Sequence, residues 1–115
     1  MRKSSEKVSF SEKMTPIAEL KPGMLCSVSG FVTGLGEVRE FQRDDGKVGR
    51  VANIYISDET GRIKVVLWAE HVDLLQGLDI GYKAELIDAL AKSGWNEELE
   101  LSCGWRTRIT FAPPG

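Results

Sequence analysis

A chain of 115 residues has room for one ordinary domain, and two would both have to be unusually small. Its 42% hydrophobic and 28% charged residues strike a globular balance, which excludes a mainly disordered chain. A formal net charge of −2 excludes a globally basic binder working by bulk attraction, but it leaves local patches open.

No run approaches the roughly 20 apolar residues of a membrane-spanning helix. The first residues lack the apolar core of a secretory signal, so the default compartment is intracellular, the cytoplasm. Cys26 and Cys103 are too few for a disulfide scaffold and lack zinc-site spacing. Both fall among apolar strand neighbours and read as small buried hydrophobes.

Residues 1–14 read as a flexible tail with Val8 and Phe10 as apolar anchors, residues 15–111 as the domain, and 112–115 as a short C-terminal tail. Thr15-Pro16-Ile17-Ala18-Glu19-Leu20 offers an N-cap, a proline at the first helical position and an acidic first turn, so a one-turn helix is expected. From Met24 the period switches to two. One long strand should run to about Phe41, bent where Gly30, Gly34 and Gly36 interrupt it. Arg43 to Gly49 is turn-rich, and Arg50 to Ser57 makes a second strand. The tight turn Asp58-Glu59-Thr60-Gly61 joins it antiparallel to a third, Arg62 to Trp68. Val72, Leu74, Leu75 and Leu78 are spaced for one face of a short helix over 70–78. Tyr82 to Ala91 gives a fourth strand, and Lys92 to Asn96 a loop. Glu97 to Phe111, kinked at Gly104, supplies a fifth strand and an extension. Five strands in this order, with the helix between the third and fourth, predict an all-β protein: a closed five-stranded Greek-key barrel, the OB-fold.

Strand alternation assigns the faces. Ile63, Val65 and Leu67 point inward with Ala52, Ile54 and Ile56. Outward go Arg62, Lys64, Val66 and Trp68, beside Val51, Asn53, Tyr55 and Ser57. That outer face carries an amide, a phenol, an ammonium and an indole, which a core alone does not explain. Trp68 has two readings, a cover for the barrel mouth or a binding surface. Trp95, between Gly94 and Asn96 in a loop, either folds back as a plug or meets a ligand. The phase of Trp105 groups it with Ile109 and Phe111, in the core or capping an end.

Catalysis finds no support. There is no phosphate-binding loop, nucleophile elbow or paired metal ligand, and His71 stands alone, so neither cofactor nor metal is expected. Between 37 and 68 the bases Arg39, Arg43, Lys47, Arg50, Arg62 and Lys64 are matched by six acids. Four of those acids crowd into two turns, while most of the bases lie on or beside strands. Aromatics flanked by Arg and Lys suit a single nucleic-acid strand, since bases stack and cations meet phosphates.

Several segments resemble the archaeal replication protein A family, built from single-stranded-DNA-binding OB domains: Ile17 to Met24, Val38 to Phe41, Asp45 to Asn53, Ile56 to Trp68, and the closing Glu98 to Ser102 and Gly104 to Ile109. The resemblance implies that Trp68 is one stacking aromatic and Trp95 the second. It places Arg39, Phe41, Arg43, Lys47 and Arg50 where the family's first loop approaches DNA. With Asn53, Tyr55 and Lys64 on the outer face and Lys92 in the loop before Trp95, these form the candidate interface. The expected function is sequence-tolerant single-stranded DNA binding in replication, repair or recombination, with no enzymatic step, membrane or small-molecule substrate. Replication and repair proteins or other OB subunits are the further partners to expect. Alternatives are a structural OB domain that assembles with protein, or an RNA-binding one.

Overall fold

The computed structural model describes residues 14–94 and 96–114. Most of the expected N-terminal tail, and Trp95, lie outside the described residues. Among the described residues are six strands, β1 (Leu25–Gln42), β2 (Val48–Ser57), β3 (Arg62–Trp68), β4 (Lys83–Ser93), β5 (Leu99–Cys103) and β6 (Arg108–Ala112), with 3-10 helices at Ile17–Glu19 and Ala69–Leu75.

The ring closes because β1 serves two neighbours. Its first half pairs antiparallel with β4 (Leu25↔Leu90 to Phe31↔Lys83), and its second half with β2 (Phe31↔Ser57 to Gln42↔Val48). The change-over needs Gly30, where an added Cβ would lie 2.7 Å from the Ser57 carbonyl oxygen. Register shifts between Val32 and Gly34 and between Leu35 and Val38 coil the strand further. β2 and β3 form the expected hairpin, β3 runs parallel to β5, and β5 runs antiparallel to β4. The strands β1-β2-β3-β5-β4 and back to β1 make a closed five-stranded barrel of the OB type.

β6 is the second piece of the expected fifth strand. It pairs with the first half of β4 (Lys83↔Ala112 to Ile87↔Arg108), while β5 pairs with the second half. Between the two pieces a turn at Gly104–Thr107 is closed by the Thr107 N–H to the Gly104 carbonyl at 3.1 Å. Opposite the break, Asp88 of β4 takes φ 60°, and its carbonyl accepts the buried Thr107 hydroxyl at 2.9 Å. The sequence therefore shows a kink where the structure has a hinge between strands. This also corrects the expectation for Trp105. The turn carries it out of strand phase, and it is 85% exposed rather than core or end cap.

The core follows the predicted alternation. Ile54, Ile56, Val65, Leu67, Leu86 and Leu101 are fully buried, beside small Ala84, Ala89 and Ala91 of β4. The helix expected over 70–78 is a 3-10 helix ending at Leu75, with Gly77 (φ 82°) in the turn beyond it; Val72 is its buried residue.

The first helical turn is held differently from the sequence expectation. Pro16 rather than Thr15 occupies its N-cap, without a side-chain cap. Its free N–H groups are instead taken by the β2–β3 turn: Ile17 N–H donates to Asp58 Oδ2 at 2.9 Å and Ala18 N–H to Thr60 Oγ1 at 3.0 Å. Asp58 Oδ1 accepts the Thr60 hydroxyl at 2.6 Å and the N–H groups of Thr60 and Gly61 at 2.7 and 3.0 Å. Partial burial pushes the Asp58 carboxyl up. The Thr60 hydroxyl and the N–H groups of Ile17, Thr60 and Gly61 outweigh it, so its pKa lies below the ordinary value.

A depressed folded pKa gives stability that is present above the ordinary carboxylate range, near pH 4, and lost as pH falls through the folded value. Asp58→Ala should cost about 1–2 kcal/mol, as loss of a cap does, and flatten the acid limb of a pH–stability curve measured by thermal melts. Burial, reinforced by Cys26, pushes the Cys103 thiol up to about 12, and burial also raises Cys26, whose Sγ–H donates to the Ala89 carbonyl at 3.5 Å. Thiolate is the reactive form. Native protein at pH 8 should resist iodoacetamide at both cysteines, with full labelling, read by mass, only after unfolding.

Candidate nucleic-acid interface

The hairpin register sets the outer face in rows across the barrel. Val51 lies opposite Trp68, Asn53 opposite Val66, Tyr55 opposite Lys64, and Ser57 opposite Arg62. β1 adds Arg39 beside Val51 and Gly34 beside Tyr55. β5 and β4 extend the Tyr55–Lys64 row through Glu100 to Lys92, because β4 continues two residues past its expected end. Val51 and Val66 point outward yet are buried, so the face has its own apolar floor.

Trp68 is the fixed point of this face. Its indole N–H donates to Ser102 Oγ at 3.2 Å, and the Phe41 ring meets it edge-on, centroids 6.0 Å apart and planes at 87°. It remains 37% exposed, and with Arg39, Glu40, Phe41 and Val51 it lines a cleft of about 310 Å³. Phe41 reaches it by lying across Gly49, its cross-strand partner. A Cβ at Gly49 would stand 2.5 Å from the end of the Phe41 ring.

The cations divide by partner. Arg50 is drawn to Asp73 of the second 3-10 helix, with 2.8 Å between guanidinium and carboxylate. Arg43 stands 3.5 Å from Asp45 in the β1–β2 turn, where the exposed Lys47 donates its backbone N–H to Asp45 Oδ1 at 3.0 Å. Exposed pairs of this kind are weak and open to exchange. Arg39 and Lys92 are exposed and Lys64 is half-buried.

Two contributors lay outside the candidate set. Arg62 sets its guanidinium 4.4 Å from the centroid of the Tyr55 ring and donates from Nε to Thr33 Oγ1 at 3.2 Å. Strand phase already put it on this face, but not over Tyr55. Ser102 has no local signal, because the β3–β5 pairing that brings it to Trp68 joins residues 34 apart. Tyr55, Arg62 and Lys64 line a second cleft, of about 220 Å³, against Asn96, Glu98 and Glu100 of the β4–β5 loop and β5. Asn96 braces that loop, exchanging hydrogen bonds with Glu98 at 3.1 and 3.2 Å. Among the described residues no group of three or more His, Cys, Asp or Glu could hold a metal ion, and no helix is long and apolar enough to cross a membrane.

The chain is 32% identical over 111 residues to replication factor A of Methanothermobacter thermautotrophicus, a match covering 90% of this chain and 13% of that protein. It is 28% identical over 97 residues to the single-stranded DNA binding protein Ssb of Saccharolobus solfataricus, covering 84% of this chain and 62% of the other. The chain thus spans less than two thirds of either relative. No family model matches it. Its fold superposes on the second OB-fold domain of replication protein A from Methanococcus maripaludis with a TM-score of 0.72 and 28% identity, over 86% of this chain and 94% of that one. The chain is thus an OB-fold barrel that is similar, in sequence and in topology alike, to OB-fold domains of archaeal replication protein A.

Proposed function

We propose that the outer face of β1–β3 binds single-stranded DNA without catalysis and with little sequence preference, in the cytoplasm, during replication, repair or recombination. The observation that carries this reading is Trp68: a ring fixed by Ser102 and Phe41 yet open to solvent, with Arg39 beside it in the same cleft. Its only N–H donor is already used inside the protein, so what it offers a ligand is its π-face. Stacking on a π-face accepts any base. Bases stack on Trp68 and on Trp95, with Phe41 and Tyr55 assisting, while Arg39, Arg43, Lys47, Lys64 and Lys92 meet phosphates. Arg50 contributes by exchanging Asp73 for phosphate. Such a domain works beside other OB subunits or replication proteins. The replication factor A and Ssb relatives support the reading by name.

Oligo-dT added at low salt should quench the intrinsic tryptophan fluorescence, and log affinity should fall linearly with log salt. No quenching at low salt overturns the proposal. Matched U oligomers competing as well as dT would make the ligand single-stranded nucleic acid in general rather than DNA.

Trp68→Ala should weaken binding by about 5- to 150-fold, the equivalent of about 1–3 kcal/mol for one stacked base. A collapse of thermal stability in that variant would instead make Trp68 structural. Gly49→Ala is a finer test, since the atoms in its way are the far end of the Phe41 side chain, which can swing aside. The variant should fold normally yet bind as weakly as Phe41→Ala; unchanged affinity would show that Phe41 does not contribute.

A further inference from the structure

Trp105 is 85% exposed although it does not sit on a loose loop. Its turn is closed by the Thr107 N–H to the Gly104 carbonyl. The Thr107 hydroxyl ties it to Asp88, and His71 Nε2–H donates to the Gly104 carbonyl at 2.8 Å. Strand β4, the second 3-10 helix and the turn's own hydrogen bond therefore brace one indole in solvent. A single exposed apolar residue is ordinary by itself, but this one is held by three separate contacts and has a cation over its ring.

The register says which surface it extends. β5 runs beside β3 with Val66 opposite Ser102 and Leu67 opposite Cys103, so the chain reaches Gly104 at the level of Trp68. Ser102, which accepts the Trp68 indole N–H, is three residues from Trp105, at most about 10 Å of backbone. Phe41 on β1, Trp68 on β3 and Trp105 beyond β5 thus fall in sequence across the strands. Cations accompany both ends. Arg39 lines the Phe41–Trp68 cleft, and the Arg106 guanidinium lies 5.9 Å from the Trp105 ring centroid.

We infer that the Gly104–Thr107 turn is an additional stacking site that lengthens the nucleic-acid track, Trp105 taking a base and Arg106 the adjoining phosphate. This rests on the reading of the Trp68 face as a single-strand site. An aromatic paired with a cation, three residues beyond the Ser102 that holds Trp68, fits a polyanion with planar bases better than an apolar protein surface.

The test uses the full chain and oligo-dT at two lengths, about 5 and about 15 nucleotides, spanning OB footprints. Trp105→Ala should melt at the wild-type temperature, bind the short oligomer as wild type does, and bind the long one at least about 5-fold more weakly. Arg106→Ala should reduce the slope of log affinity against log salt for the long oligomer by about 0.7, one phosphate contact on a single strand. Equal affinity of wild type and Trp105→Ala at both lengths overturns the inference. An equal loss at both lengths overturns it too, since Trp105 would then belong to the Trp68 site. If the wild type binds neither oligomer, the single-strand reading of the Trp68 face fails, and this inference with it.

Discussion

At Gly30 the β1 backbone passes so close to the Ser57 carbonyl oxygen that no side chain fits, and here β1 leaves β4 for β2. Every other part of the structure depends on that crossing. It lets one 18-residue strand pair with both β2 and β4 and so close the ring. It also turns the alternation of β2 and β3 into an inside and an outside. Ile54, Ile56, Val65 and Leu67 then fill the barrel, and the intervening residues all go to one outer face.

That face is chemically mixed, and geometry is what gives it a direction. Trp68 and Phe41 define one apolar cleft, floored by Val51. Tyr55 and Arg62 define a more polar one, bounded by the carboxylates of Glu98 and Glu100. Arg43 and Arg50 keep acidic neighbours, Asp45 and Asp73, in exposed pairs that are weak and open to exchange. A net charge of −2 therefore says little about what this face attracts, because attraction at contact range depends on local placement rather than on the sum.

Most of the barrel was legible in the sequence because its signals are local. The period-two runs, the Asp58–Gly61 turn and the bounds of β3 need only neighbouring residues, and the structure reproduces them. The outward row from Asn53 to Trp68 follows from the same period. The exceptions share a cause. Asp58 capping the first helical turn across 41 residues, Ser102 holding Trp68, and Arg62 lying over Tyr55 all involve partners that no window of sequence brings together. Trp105 leaves the place its strand phase predicts because the Gly104–Thr107 turn resets that phase.

The sequence by itself determined which residues of β2 and β3 face inward, where the hairpin turns, and which family of folds the chain joins, since alternation and turn chemistry are properties of adjacent residues. Only the tertiary structure decided which aromatic rings stand exposed on rigid supports and which cations already have partners. Those depend on contacts made when the barrel closes, above all the parallel pairing of β3 with β5. That pairing anchors Trp68 from one side and carries the chain on to the exposed Trp105.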